Sequence, residues 1–159
     1  ISAWNTGAVI DMSSMFYSAD AFNNGNEPLD WSDTSKVETM YRMFSGADAF
    51  NNGGEPLDWS DTSKVETMSG MFYNADAFNQ DISTWNVSSV TSMKAMFYGA
   101  TSFNQPIGNW DLSNVNNISF MFYDAITFNQ NLSNWDIKNI RNHFSFSFNT
   151  PNWLLSKPI

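Results

Sequence analysis

The chain repeats itself, and a repeat of this length decides what it can fold into before any single residue is considered. Aligned on a Met-Phe pair, the copies fall at Met15-Phe16, Met43-Phe44, Met71-Phe72, Met96-Phe97 and Met121-Phe122, in steps of 28, 28, 25 and 25 residues. Other columns keep step: Val9, Val37, Val65, Val90, Val115 and Ile140; Met12, Met40, Met68, Met93 and Ile118; Phe22, Phe50, Phe78, Phe103 and Phe128. One unit cannot bury its apolar side alone, so each copy must be completed by its neighbours. The expectation is a solenoid of about five and a half repeats over residues 1–140, followed by a degenerate capping repeat at 141–159.

Two periods mix within a unit. Ile82-x-x-Trp85-x-Val87 contains the period-two step of a short strand, whereas Val90, Met93, Phe97 and Ala100 mark one face of a helix. The predicted fold class is therefore α/β, with one short strand and one short helix in each turn of 25–28 residues. Ser88 or Ser89 is placed to cap the helix, as are Asp111 or Ser113 and Ser63 in other units. After Ile140 the pattern degrades, and the alternation Phe144-Ser145-Phe146-Ser147-Phe148 predicts a strand in the cap.

The spacing Ile82-x-x-Trp85-x-Val87-x-x-Val90-x-x-Met93 resembles a leucine-rich repeat, with Trp and Val in two of the usual leucine places. The string FNQDISTWNVSSVTSMKAMFYGATSFNQ, from Phe78 to Gln105, is similar to the repeat of BspA-like leucine-rich-repeat surface proteins of mycoplasmas and other bacteria. That resemblance implies a right-handed β/α solenoid, a cell-surface or extracellular location, a role in adhesion or binding, and no catalytic residues. The long units depart from it, reading PLDWSDTSKV where Ile-x-x-Trp-x-Val is expected, and Val90 stands at the family's asparagine position.

Composition narrows the function. The chain has no cysteine, so disulfides and thiolate metal sites are excluded. A net charge of −9 makes nucleic acid a poor partner, because binding it requires a basic stripe. No apolar run reaches the length of a membrane span. Acidity concentrates in the first half, where stacking the long units sets Glu27 by Glu55, Asp30 by Asp58 and Asp33 by Asp61, with Asp20, Asp48 and Asp76 in another column. Two readings stay open. Bound Ca²⁺ would relieve the repulsion, or the loops fan out and the charges diverge into solvent. No cofactor is required by any motif. Paired carboxylates also suit a glycosidase, but repeat copies offer one environment where acid and nucleophile need two.

Asn23, Asn51, Asn79, Asn104 and Asn129 follow the phenylalanine column and suit a structural ladder, each bridging backbone groups of successive turns. The outward positions of the predicted strands, Thr84, Asn86 and Ser88, then Asn109, Asp111 and Ser113, then Asn134, Asp136 and Lys138, would form a polar concave face for protein or glycan. The expected function is a non-enzymatic surface module that binds protein or glycan on another surface. The alternative is a structural subunit that self-associates into a filament or coat, suggested by the start of the chain at a strand position, Ile1, and by the phenylalanine strand.

Overall fold

The computed structural model describes residues 1–59 and 61–157. The chain winds through successive circuits laid against one another, and a single column of isolated parallel bridges fixes their register: Asp11 to Thr39, Thr39 to Thr67, Thr67 to Ser92, Ser92 to Asn117, and Asn117 to Asn142. The repeat steps read from the sequence are thus the steps of the stack.

The expected strand and helix in each circuit are absent. Among the described residues, regular structure amounts to two 3-10 turns, Asn24–Asn26 and Asn52–Gly54, and those isolated bridges. The chain is not an α/β leucine-rich-repeat solenoid. Its circuits are built from turns.

Backbone hydrogen bonding gives the reason. In the second circuit the N–H groups of Met40, Arg42, Phe44 and Gly46 donate sideways to the carbonyls of Thr67, Ser69, Met71 and Tyr73, at 2.7–3.1 Å. The N–H groups of Met43, Ser45 and Ala47 donate back three residues, to Met40, Arg42 and Phe44, at 3.0–3.3 Å. Local and sideways donors alternate, so every N–H in the run is satisfied without an i→i−4 ladder. Two columns of positive φ run through the circuits, and the 3-10 turns of the long units add more. One column is Ser14 (55°), Arg42 (52°), Gly70 (63°), Ala95 (54°), Phe120 (60°) and Ser145 (48°), and a second lies four residues further on, from Ser18 to Asn149. A left-handed residue cannot be continued within a right-handed helix. The three-residue apolar spacing that predicted a helix is the spacing of successive i→i+3 turns.

The predicted strand dissolves in the same way. Trp85 N–H donates to the Ile82 carbonyl at 3.2 Å and Val90 N–H to Val87 at 2.9 Å, with an Asx turn at Asn86 between them. In the last circuit Phe144, Phe146 and Phe148 are likewise not a strand. Their carbonyls accept from Phe120, Phe122 and Asp124, the same sideways set as in every earlier circuit, and Phe144 and Phe148 are exposed.

The core runs along the axis of the stack as aromatic columns. Phe44, Phe72, Phe97 and Phe122 stack with centroids 5.6–5.8 Å apart, and Phe50, Phe78, Phe103 and Phe128 at 5.8–5.9 Å. Within a circuit the two columns touch, as in Phe72 to Phe78 at 3.8 Å. Trp31, Trp59 and Trp85 form a third. The extra residues of the long units are carried by the 3-10 turns. Asn52 is buried there, accepting from Leu29 N–H at 2.7 Å and donating to the carbonyls of Glu55 and Pro56.

Candidate functional site

The Met-Phe pair of each unit points inward, and the next residue lies on the outside. That column reads Tyr17, Ser45, Tyr73, Tyr98, Tyr123 and Phe148, of which Ser45 alone is buried. Tyr73, Tyr98 and Tyr123 stack face to face, with centroids 4.6 and 4.7 Å apart, and Phe148 continues the row at 4.9 Å. The spacing is that of adjacent backbones in a hydrogen-bonded stack, so the ladder follows from the bonds beneath it. Burial first, and then the neighbouring Tyr73 and Tyr123, push the Tyr98 phenol above its usual range and keep it protonated.

Beside the ladder lies a groove of about 260 Å³. Tyr41, Tyr73, Tyr98 and Phe120 supply its aromatic walls, and Arg42 and Lys94 its charge. The Arg42 guanidinium lies 5.3 Å from the Tyr41 ring centroid and 6.0 Å from that of Tyr17, within cation–π range. Sequence reasoning assigned none of these residues. The signal lay in the third position of the Met-Phe-Tyr triplet, repeated at 15–17, 71–73, 96–98 and 121–123.

Three of the residues expected on a concave strand face start turns in the backbone. Asn86, Asp111 and Asp136 each accept a hydrogen bond from the N–H two residues on, at Ser88 (3.0 Å), Ser113 (2.9 Å) and Lys138 (3.2 Å). Asp33 and Asp61 do the same for Ser35 and Ser63, so the row is a column of turn starters. The Ser35 and Ser63 hydroxyls, and then their N–H groups, hold the carboxyls of Asp33 and Asp61 below their usual range, and the Ser113 N–H, then its hydroxyl, does so for Asp111. Thr84 donates to Asp58 at 3.3 Å, while Asn109 and Asn134 are exposed. With no strand there is no strand face.

Among the described residues no group of three or more carboxylates or histidines is close enough to hold a metal ion. Glu27, Asp30, Asp33, Glu55 and Asp58 are exposed and Asp61 is half-buried. Asp76 is the exception in electrostatics: partial burial, and then the nearby Asp48, push its carboxyl up.

The asparagine column forms a continuous ladder. Each side-chain carbonyl accepts the backbone N–H one circuit on: Asn23 from Asn51 (2.8 Å), Asn51 from Asn79 (3.1 Å), Asn79 from Asn104 (2.8 Å) and Asn104 from Asn129 (2.8 Å). Asn129 accepts from Leu154 and Leu155. Gln105 and Gln130 reinforce it by donating to the same asparagines, at 2.8–3.0 Å. Indole N–H groups bridge the circuits as well, from Trp85 to the Leu57 carbonyl at 2.8 Å and from Trp135 to Ile107 at 3.0 Å.

Among the described residues no helix is long and apolar enough to cross a membrane. No curated protein and no solved structure matches the chain significantly, and the resemblance to BspA-like leucine-rich-repeat proteins gains no support from these comparisons. One family profile does match, in two overlapping copies, over residues 1–60 and 54–154. Covering nearly every circuit of the stack, that match makes the chain a member of the family described as Mycoplasma protein of unknown function, DUF285.

Proposed function

We propose that the chain is a non-enzymatic binding module that engages protein or glycan on another surface through the groove beside the tyrosine ladder. The observation that carries this reading is the groove itself, where one exposed and three half-buried aromatic side chains meet two cations on a chain whose net charge is −9. Aromatic walls supply apolar contact at low entropic cost, and cations orient a partner. The ladder beneath is held by backbone bonds in every circuit, so the groove needs no rearrangement before it binds. An extracellular or cell-surface position belongs to the same reading and rests on the sequence resemblance alone; labelling intact cells with a membrane-impermeant reagent tests it.

The binding test is an array of glycans and extracellular proteins, probed with the wild-type chain and with Arg42→Gln and Tyr98→Ala. The expected result is a small set of ligands whose binding falls about threefold or more in both variants, each checked for a cooperative denaturant melt. Ligands held equally well by all three chains would move the site elsewhere, and an array with no bound ligand would end the binding reading.

A further inference from the structure

We propose that this groove takes an acidic saccharide, a sugar ring bearing a carboxylate; the inference rests on the binding reading above and names its ligand class. Seven lysines and arginines are set against sixteen carboxylates in the chain, yet Arg42 and Lys94 line one groove into which no carboxylate projects. An anion is attracted there and repelled by the carboxylates concentrated in the first half of the chain. Among the described residues neither cation is in an ion pair, whereas Lys138 is paired with Asp136. Cation–π contacts hold Arg42 against Tyr17 and Tyr41, which leaves its N–H edge for a carboxylate, the geometry a guanidinium fits best.

The backbone separates a sugar from an acidic peptide. Arg42, Gly70 and Ala95 donate their N–H groups to Ser69, Lys94 and Ser119, and the carbonyls of Tyr41, Tyr73 and Tyr98 accept from Ser14, Gly46 and Asn74. No main-chain edge is left for an extended peptide to pair with, so recognition falls to side chains alone. A pyranose suits them: its C–H surface packs on the aromatic walls, while its hydroxyls reach the phenols of Tyr73 and Tyr98, which have no hydrogen-bond partner among the described residues. A volume of about 260 Å³ lies below the range of drug-sized pockets, so a single ring of an oligomer enters it.

The test is calorimetric titration of the 159-residue chain with uronic-acid and sialyl oligosaccharides, their carboxyl-reduced counterparts, and oligoglutamate of equal length. The acidic sugars should bind, with carboxyl reduction weakening them about tenfold or more, and with Arg42→Gln and Lys94→Gln each weakening them about three- to tenfold. Lys138→Gln, away from the groove, should change nothing. Tighter binding of oligoglutamate, or equal binding of the reduced sugars, overturns the inference while leaving the groove a binding site. Silence from every acidic sugar also overturns it. The binding reading survives that silence only if ligands found on the array still depend on Arg42.

Discussion

A side chain carried on a left-handed residue reports the local backbone more directly than any core contact does. Ala95 has φ +54° on a half-buried turn. In a helix, replacing such an alanine by glycine costs about 1 kcal/mol. At this φ the alanine itself is strained by about 1–2 kcal/mol, while glycine loses about 0.5–1 kcal/mol more chain entropy on folding. Ala95→Gly is therefore expected to be neutral or to stabilise by up to about 1 kcal/mol in denaturant melts. Gly99, in the second column at φ +65°, supplies the opposite sign, because that φ strains any Cβ and the exposed Asn74 side chain would have to turn aside. Gly99→Ala should cost about 1 kcal/mol. A loss for Ala95→Gly equal to that of a helical alanine would contradict the turn structure.

The repeating element is one circuit, and polar ladders join circuits as effectively as the core does. Asn79 accepts from Asn104 N–H at 2.8 Å, so Asn79→Ala leaves that half-buried donor without a partner, while the Gln105 amide keeps the Asn79 main-chain carbonyl at 2.8 Å. The expected cost is about 2–3 kcal/mol in chemical denaturation. Exposed Asn109, changed to Ala, should stay within about 0.5 kcal/mol, and equal losses at the two sites would remove the ladder from the stabilising set. The asparagine column was visible in the sequence because one acceptor recurs at a fixed step. The turns were not, because i→i+3 turns and a helix share the spacing of Val90, Met93, Phe97 and Ala100, and only backbone φ tells them apart. The Asx starters Asn86, Asp111 and Asp136 were legible as polar and outward, but their attachment to the backbone two residues on was not. Tyr73 and Tyr98 recur as plainly as the phenylalanines; Arg42 and Lys94 occur once each and carry no period, so repeat reasoning passed over the groove's charge.

At the scale of the whole molecule, each circuit contacts only its neighbours, so stability should add along the stack as circuit and interface terms. That makes position in the array a variable independent of residue type. Phe72 is fully buried, lies between Phe44 and Phe97 at 5.7 and 5.8 Å, and packs on Phe78 within its own circuit. Phe16 has the equivalent contacts with Phe44 and Phe22 but no phenylalanine on its other side. Phe72→Ala should cost about 3–5 kcal/mol, as a large-to-small change in a close-packed core, and Phe16→Ala half of that or less. The measurement is a pair of urea melts read by tryptophan fluorescence. A loss below about 1 kcal/mol at Phe72 would mean that the aromatic column does not hold the circuits together. Equal losses at the two positions would mean that a phenylalanine neighbour on both sides adds nothing, and the nearest-neighbour account of the stack would fail.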